Sequence, residues 1–462
     1  MKRLLTTLAF FGVFGAVYAS EIKFEENPGI FQNPGQGWTR WGQHPGYSKA
    51  DVNYGAGYNR YSWAELNPAE GEYNWALIDR ALENFSRAGL PFYFRIMCVN
   101  TTGYPPKYSV PGWVFDKGAK FFFNELKRPP NERYPDGKVE VAVPDFADPL
   151  FLEEHEKFIA ALAERYDSDP RVGGLDIGSY GNWGEWHCTF LGLDTRNGRR
   201  PHSFEVRKRY ADMYLKNFKK TQLAFMTDDE EVFAYALGKG KIPRVGIRRD
   251  GVGSPWHFNR WIGTPPYDKI ARMGDVWKDR PVFLEFMGTV ENFKKNGWDI
   301  AHALKWTLKN HVSLVNEVPL FPERIDKGSE AEKALRLVDL YAGARLVPES
   351  AEVSYSDGKL DVTVRGENRG ASRIYLPYRM RYELRDSSGK VVFDMLSSQD
   401  PRKILPGKFG FSDSARLSLK PGETYSLSLR VFHTKKVFRD FRFAVKNLNP
   451  DGSLDLGKIS VK

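Results

Sequence analysis

Between Asn33 and Pro319 the chain alternates eight short apolar runs with helical patterns, and this alternation constrains its fold most. The runs lie around Trp38 and Arg60 and begin at Pro91, Val172, Gln222, Ile242, Pro281 and Val312. Eight apolar strands separated by helices are typical of a (β/α)8 TIM barrel in the α/β class. A doubly wound open sheet is the alternative. It usually has fewer strands and often a glycine-rich nucleotide loop, and the chain has neither a GxGxxG nor a GxxxxGK motif.

Helical patterns and one long connection fill the spaces between the runs. Apolar residues recur at i, i+3, i+4 and i+7 from Ile78 to Phe85, which predicts an amphipathic helix. Asp148 and Pro149 are typical of an N-cap and first-turn pair ahead of another helix. The connection 100–148 holds seven prolines and follows the third run. In a barrel, such a loop lies at the face where ligands bind, so we expect it to wall a cleft or to be a plain surface insertion.

The pattern changes after Pro319. A helix is predicted at 329–342, and alternating segments separated by turn residues follow it, including KLDVTVRG, YRMRYELRD, ARLSLK, TYSLSLRV and FRDFRFAV. These segments predict an all-β sandwich. The predicted domains are therefore a barrel over 20–343 and a β-sandwich over 344–462. All twelve tryptophans lie between Trp38 and Trp306, so the tail is interpreted as a structural appendage rather than a tryptophan-based sugar-binding module.

The first nineteen residues are typical of a secretory signal peptide. Lys2 and Arg3 precede an apolar stretch that is too short to span a membrane, and Val17 and Ala19 fit the small-residue rule for cleavage before Ser20. We therefore expect an exported protein, periplasmic or extracellular, with no transmembrane segment.

The basic charge lies in the tail. The formal net charge is +10, and residues 345–462 carry 22 basic and 14 acidic residues. Nucleic acid is an unexpected partner for an exported protein. The basic tail therefore indicates either a solubilising surface or an affinity for an anionic glycan or the cell envelope.

Only two cysteines occur, Cys98 and Cys188. Both follow predicted neighbouring strands, so we expect them to approach each other, either as one disulfide or as two unlinked buried thiols. Two cysteines cannot form a multi-cysteine zinc site.

The stretch DIGSYGNWGEWH presents Glu185 between Trp183 and Trp186, directly after the fourth run. A carboxyl group held between indoles is partly desolvated, and desolvation favours its protonated form. The alternative is a turn with a solvated glutamate and two core tryptophans.

Glu285 is the second candidate, because it lies in the middle of the apolar run VFLEFMG. A carboxylate in such a strand is costly unless it is paired, and Arg60 or Arg95 could pair with it and keep it ionised. Two carboxylates in one barrel mouth suit glycoside hydrolysis, in which one acts as acid and the other as nucleophile or base. Other acids at strand ends are candidate hydrogen-bonding residues or helix caps: Asp228, Asp229, Asp250 and Glu317. No HExxH zinc motif and no GxSxG elbow occur, so no cofactor or metal is expected.

The segment RYSWAELNPAEGEYNWALIDRAL, from Arg60, resembles the second-strand signature of clan A glycoside hydrolases, especially the family 42 β-galactosidase kind. The NPGQGW segment near Asn33, the GNWGEWH segment and the β-rich tail are most similar to bacterial proteins of domain-of-unknown-function family 4832. The clan normally has Asn directly before its acid/base glutamate, where this chain has Gly184.

The resemblance implies a retaining glycosidase with Glu185 as acid/base and Glu285 as nucleophile. Arg60 would orient Glu285, and a poly- or oligosaccharide would contact Trp183, Trp186, His187, Asp228, Trp256 and Glu317. The substrate would be β-galactoside-like, and the basic tail separately adds an anionic glycan as an option. The alternative is a non-catalytic glycan-binding protein on a degenerate barrel. The sequence carries no indication of the oligomeric state.

Overall fold

A computed structural model describes residues 18–45, 52–102, 108–127, 129–130, 134–196, 199–317, 320 and 322–461. Eight parallel strands pair in chain order, and the last pairs with the first to close a barrel. These barrel strands are, from first to eighth, Gly37–Trp41, Tyr54–Ser62, Phe92–Met97, Val172–Ile177, Leu223–Met226, Gly246–Val252, Val282–Phe286 and Leu314–Asn316. Each predicted apolar run overlaps one of them, and the second and sixth strands extend beyond their runs, to Tyr54 and to Val252. The (β/α)8 prediction is confirmed, and the open-sheet alternative is wrong.

Helices cover the outside of the barrel and connect its strands. The α-helices are Trp63–Leu66, Ala76–Arg87, Gly112–Asp116, Pro149–Tyr166, Phe204–Asn217, Glu230–Leu237, Pro255–Phe258, Val290–Asn296, Ile300–Lys309 and Glu330–Tyr341. The predicted helix after Asn74 buries Ile78, Ala81, Leu82 and Phe85 against the strands. The Asp148 side chain accepts a hydrogen bond from the Phe151 backbone N–H, which caps the next long helix as predicted.

Inward-facing side chains fill the barrel in two chemically different layers. The apolar layer consists of Ala56, Tyr58, Tyr93, Phe283 and Leu314. Nearer the carboxyl ends of the strands, the interior is charged and includes two arginines that are fully buried, Arg95 and Arg248. Since a buried charge requires a partner, this upper layer must contain matching carboxylates.

The long connection after the third strand folds partly as a hairpin. Phe121–Lys127 pairs antiparallel with Lys138–Pro144. The Asn124 side chain donates to the Phe190 carbonyl oxygen at 2.8 Å, so the hairpin contacts the loop that follows the fourth strand. Of the described part of this connection, only Asn100 and Thr102 line the cavity at the carboxyl ends of the strands, and the hairpin contacts that cavity's loop from outside.

The C-terminal region is a sandwich of two four-stranded antiparallel sheets around one apolar core. One sheet contains, in order, Tyr18–Lys23, Leu346–Ser356, Lys359–Asn368 and Gly407–Arg416. The other contains Val391–Leu396, Tyr378–Arg385, Thr424–His433 and Leu454–Ser460. The sandwich prediction is confirmed.

Three local predictions in this region need correction. The FRDFRFAV segment forms only isolated bridges, because Phe438, Phe441 and Phe443 pack into the sandwich core without continuous strand pairing. The ARLSLK segment contributes only its first residues to a strand that ends at Arg416. The strand Tyr18–Lys23 pairs with Leu346–Ser356, although the range 20–343 places it with the barrel. The division near residue 343 stays a prediction.

The sandwich attaches to the amino-terminal end of the barrel. Arg439 donates its backbone N–H to the Gly89 carbonyl at 3.0 Å, and the Gln222 side chain donates to the Tyr375 carbonyl at 2.8 Å. Gly89 and Gln222 both lie shortly before barrel strands, at the end opposite the charged layer. The sandwich is therefore remote from any ligand bound at the carboxyl ends of the strands.

Residues 1–17 of the predicted signal peptide lie outside the described residues. Its last two residues, Tyr18 and Ala19, begin the strand that pairs with Leu346–Ser356. Among the helices of the described residues, none has the length and apolar character needed to cross a bilayer.

Candidate active site

A cavity of about 840 Å³ opens at the carboxyl ends of the barrel strands. This volume lies within the range that is typical of small-molecule sites. Seven of the nine predicted site residues line it, namely Arg60, Trp183, Glu185, His187, Asp228, Trp256 and Glu285. The structure thus brings together residues from the second, fourth, fifth, sixth and seventh strands or the loops that follow them.

Trp186 lies outside this cavity, so the predicted contact with a sugar requires correction. Its side chain is fully buried, its indole N–H donates to the Ile177 carbonyl at 2.7 Å, and its ring lies 4.4 Å from that of Phe225. Trp186 therefore fixes the loop onto the barrel. The idea that two indoles enclose Glu185 is also wrong, because polar groups surround that carboxylate.

Glu317 also lies outside the cavity and is 2% exposed. It accepts hydrogen bonds from Arg40 at 2.9 and 3.0 Å, from the Trp41 backbone at 3.0 Å and from the Tyr54 hydroxyl at 2.7 Å. These donors belong to the first and second barrel strands. The side chain stabilises the closure of the barrel and is not placed to contact a ligand.

The loop that presents Glu185 has an unusual backbone. Four non-glycine residues in it have positive φ angles, namely Ser179, Trp183, Trp186 and Phe190. Such conformations are costly and cluster at functional sites. Here they lie on either side of a candidate catalytic carboxylate, which indicates that the loop is held in one shape by its packing.

Gly184 occupies the position where the clan pattern has Asn. Its φ is +68°, and a Cβ atom there would lie 2.8 Å from the Ile96 carbonyl oxygen. An asparagine does not fit without backbone movement. Asn182 does not replace it, because that side chain is fully buried and bonds to Thr101.

This geometry predicts the effect of restoring the clan residue. We expect Gly184→Asn to lower the free energy of unfolding by about 1–3 kcal/mol, because the new Cβ meets backbone atoms. Gly71 is a matched control, since it has φ +74° and open space around its Cβ position. Gly71→Asn should cost under about 1 kcal/mol, because asparagine tolerates this backbone region. Equal losses in urea denaturation would contradict the steric argument.

Arg60 contacts both candidate catalytic carboxylates. Its Nη1 lies 2.7 Å from Glu185 Oε1, and its Nη2 lies 2.9 Å from Glu285 Oε2. The predicted pairing of Arg60 with Glu285 is confirmed. Asn316 and Arg248 also donate to Oε2 of Glu285. In the described part of the chain these bonds all converge on one oxygen, so Oε1 remains for other contacts.

Four further charged residues complete the site. Asp250 lies 3.0 Å from Arg60, 3.3 Å from Arg95 and 2.5 Å from Arg248. Asp176 lies 3.0 Å from Arg95 and accepts a hydrogen bond from Tyr58. From the sequence, Asp250 is predicted only as a hydrogen-bonding residue or cap, and no role is predicted for Arg248. The signal that identifies Glu285, a charge inside an apolar strand, applies equally to these residues.

Burial and neighbouring charges shift the proton affinities of the site. Burial raises the pKa of Glu285, and Asp250 raises it further against the opposing effect of Arg60 and Arg248. The expectation that arginine alone would keep Glu285 ionised is therefore too simple. Burial also disfavours the charged form of Asp250, but Arg248, Arg95 and Arg60 hold its pKa well below the usual range.

His187 is a neighbour of Glu185 that can change its charge near neutral pH, with Nε2 3.3 Å from Oε2. Burial disfavours the imidazolium form, but the hydrogen bond to Glu185 and the charges of Asp228 and Asp250 raise the His187 pKa above its ordinary value. His187 can therefore carry a proton beside the candidate acid. Asp228 itself is paired with Arg249 at 3.2 Å, and burial raises its pKa.

The three carboxylates Glu185, Asp250 and Glu285 present oxygen atoms within 4.8 Å of one another. This spacing alone would suit a cation. Arg60 Nη2, however, lies within 3.0 Å of both Asp250 and Glu285, so a guanidinium already supplies positive charge there. The donor set does not call for a metal ion.

Both cysteines are free and buried, so they form no disulfide. Cys98 lies 4.0 Å from the His155 ring, and Cys188 lies 3.5 Å from the Tyr180 hydroxyl. Burial raises the pKa of Cys188 to about 11, so this thiol is unreactive near neutral pH.

Residues 46–188 match the family model of glycoside hydrolase family 42, beta-galactosidase. The family 42 match includes Arg60 and Glu185 but ends before Glu285. A curated relative, Beta-galactosidase BgaA of a Thermus species, is 27% identical over 129 residues, which cover 28% of this chain and 18% of the relative. The chain thus spans less than a fifth of that protein. The resemblance to domain-of-unknown-function family 4832 stays a prediction.

Two solved structures were also found to be similar. A beta-galactosidase from Marinomonas ef1 has 13% identity and a TM-score of 0.34, with 66% of this chain and 59% of that chain covered. The catalytic domain of the major endoglucanase of Xanthomonas campestris pv. campestris has 12% identity and a TM-score of 0.32, with 68% and 94% covered.

Proposed function

We propose that the protein is a retaining glycoside hydrolase that acts on a poly- or oligosaccharide. The observation that carries the proposal is the placement of Glu185 and Glu285 in one cavity, with oxygen atoms within 4.8 Å. Two carboxylates at this distance, on the loop after the fourth strand and on the seventh strand, suit double displacement at an anomeric carbon. The family 42 match over residues 46–188 supports the same reaction class.

In this mechanism Glu285 is the nucleophile. It is held on a strand, and its Oε2 binds Arg60, Arg248 and Asn316. Oε1 attacks the anomeric carbon and forms a glycosyl–enzyme bond, while the leaving group departs with a proton from Glu185. Glu185 then removes a proton from water, which hydrolyses the intermediate.

His187 and the indoles complete the proposed chemistry. His187 Nε2 lies 3.3 Å from Oε2 of Glu185, so His187 orients the acid and can exchange a proton with it. Trp183 and Trp256 line the cavity, and the Trp256 side chain is 49% exposed. Exposed indole surface in a cleft suits stacking against the apolar face of a sugar ring. Asp228 lines the same cavity, where its carboxyl group can bind sugar hydroxyls.

A hydrolysis screen tests the proposal. The wild-type protein is incubated with β-galactosides, neutral polysaccharides, and uronic and sulfated polymers, and the released reducing ends are measured. We expect release from at least one substrate by the wild type and none by Glu285→Gln. Equal release by both proteins would contradict the assignment. The same screen decides between a neutral β-galactoside and an anionic glycan.

A non-catalytic glycan-binding protein is the second candidate, and one observation favours it. Arg60 contacts both glutamates at once, so it lies beside the position that the anomeric carbon must occupy. In a hydrolase, the substrate must displace or rotate this guanidinium. A binding protein would retain glycan with micromolar or tighter affinity in calorimetry and release no reducing ends.

We further propose that the protein is exported, to the periplasm or beyond the cell. The support is the basic and apolar pattern of the first nineteen residues. N-terminal sequencing of the protein recovered from the natural host should give Ser20 as the first residue.

The sandwich should be dispensable for chemistry, because it attaches to the opposite end of the barrel. We expect a chain that ends at Gly343 to melt at a lower temperature, since it loses the contacts at Gly89 and Gln222. Its turnover on a small substrate, per folded molecule, should stay close to that of the full chain. An intact circular dichroism spectrum without any turnover would contradict this prediction.

A further inference from the structure

Among the described residues, the charged layer of the barrel contains more acids than bases. Four carboxylates, Asp176, Glu185, Asp250 and Glu285, contact three guanidiniums, Arg60, Arg95 and Arg248. All seven residues lie at the carboxyl ends of the strands or directly after them, and none of the four acids exceeds 9% exposure. An uncompensated charge is costly in such a site, so the group favours one bound proton.

Asp250 is the hub of this group. Arg248 Nε donates to its Oδ1, and Arg60 and Arg95 donate to its Oδ2. Each of the other three acids lacks a hydrogen bond to at least one of these arginines among the described residues. Because both oxygens of Asp250 are occupied by guanidiniums, Asp250 is not placed to act as a nucleophile.

We propose that Asp250 is a positioning residue that holds the three arginines against the two glutamates. Its carboxylate also supplies the excess negative charge of the layer, and because of this charge Glu185, Glu285 and His187 together retain one proton at neutral pH. The inference rests on the proposed function in one respect, which is that the retained proton is the one that Glu185 gives to the leaving group. The removal of Asp250 would leave three acids and three arginines, which balance without a proton.

Other titratable groups that face this set do not supply the excess charge. They are Tyr58, Glu65, His187, Asp228 and His257. Burial raises the pKa of Tyr58, and burial with Arg249 lowers the pKa of His257 to about 3, so both are neutral near pH 7. Asp228 is matched by Arg249, and Glu65 is hydrogen-bonded to Ser62 outside the arginine group. Among these described groups, His187 is the one able to hold the retained proton.

The test is a direct count of that proton by NMR. The carboxyl carbons of Glu185 and Glu285 and the ring nitrogens of His187 are titrated in the wild-type protein, with assignments from single substitutions of each. We expect close to one proton over these three groups at pH 7. A count of none, or of two or more, would overturn the proposal without any need for a variant.

Two substitutions should move the release of this proton in opposite directions. Asp250→Asn should lower the pH of release by roughly one unit or more, and Arg95→Gln should raise it by a similar amount, because one removes a negative and the other a positive neighbour. Shifts in the same direction, or none, would overturn the proposal. If Asp250→Asn does not fold, the proposal is tested by the shift in Arg95→Gln and by the proton count in the wild-type protein.

Asp339→Asn is the matched control. Asp339 is equally buried and bonds to the Asn53 backbone and Arg336, away from the cavity. This substitution should lower the melting temperature and leave the three NMR signals unchanged. Where hydrolysis is measurable, the basic limb of the rate profile should follow the NMR shifts. Shifts without hydrolysis would leave this inference intact and reject the proposed function instead.

Discussion

Glu285→Gln is expected to lower kcat/KM by roughly four orders of magnitude or more, with little change in the fold. The amide retains the shape of the side chain but cannot form the glycosyl–enzyme bond. The amide oxygen of the new glutamine can still accept hydrogen bonds from Arg60 and Arg248, so the barrel should remain closed. Steady-state hydrolysis of the best substrate from the screen, with circular dichroism as a check of the fold, measures this effect.

Glu317→Gln provides a control of the same chemical type. Glu317 is also buried on or beside a barrel strand and also binds an arginine, but it lies outside the cavity. This substitution should cost about 1–3 kcal/mol of stability, because a charge-assisted hydrogen-bond acceptor is lost, and should leave kcat/KM nearly unchanged. Comparable losses of activity in both variants would mean that Glu285 acts through the fold rather than through chemistry.

The barrel could be predicted because its strands are buried on both faces and therefore read as apolar runs. The same reasoning identified Glu285, since a carboxylate in the middle of such a run must face a partner or a site. It extends to Arg248 and Asp250, which lie in the sixth strand, and to Asp176 in the fourth. The sequence could not show that these residues meet, because their contacts cross the barrel interior.

Trp186 and Glu317 mark the limit of local sequence patterns. Trp183 and Trp186 both lie beside Glu185 in sequence, yet only Trp183 lines the cavity. Both have positive φ angles, and such angles in non-glycine residues are set by surrounding packing rather than by residue type. Glu317 follows the last strand, as expected of a ligand-binding residue. Its carboxylate is instead hydrogen-bonded to Arg40 and Tyr54 of the first and second strands. These outcomes depend on tertiary contacts that no single run encodes.

The first product of hydrolysis should retain the anomeric configuration of the substrate. Retaining glycosidases place their two carboxyl groups about 5–5.5 Å apart, whereas inverting ones need roughly 6.5–9.5 Å to admit a water molecule. Oxygen atoms of Glu185 and Glu285 lie within 4.8 Å of each other, which favours the shorter, retaining separation over the longer, inverting one. The position of Glu285 on a strand also holds its carboxylate at a fixed distance from the sugar. Proton NMR of the earliest product, recorded before mutarotation, reports the anomer.

Azide extends this test to each glutamate separately. With Glu185→Ala and an activated substrate, azide should take the place of water and give a glycosyl azide of retained configuration, because the glycosyl–enzyme bond still forms. With Glu285→Ala, azide should attack the substrate directly and give the inverted azide, because no covalent intermediate precedes it. An inverted first product from the wild type, or the same azide anomer from both variants, would reject Glu285 as the nucleophile. The short carboxylate separation would then reflect the shared contact with Arg60 alone.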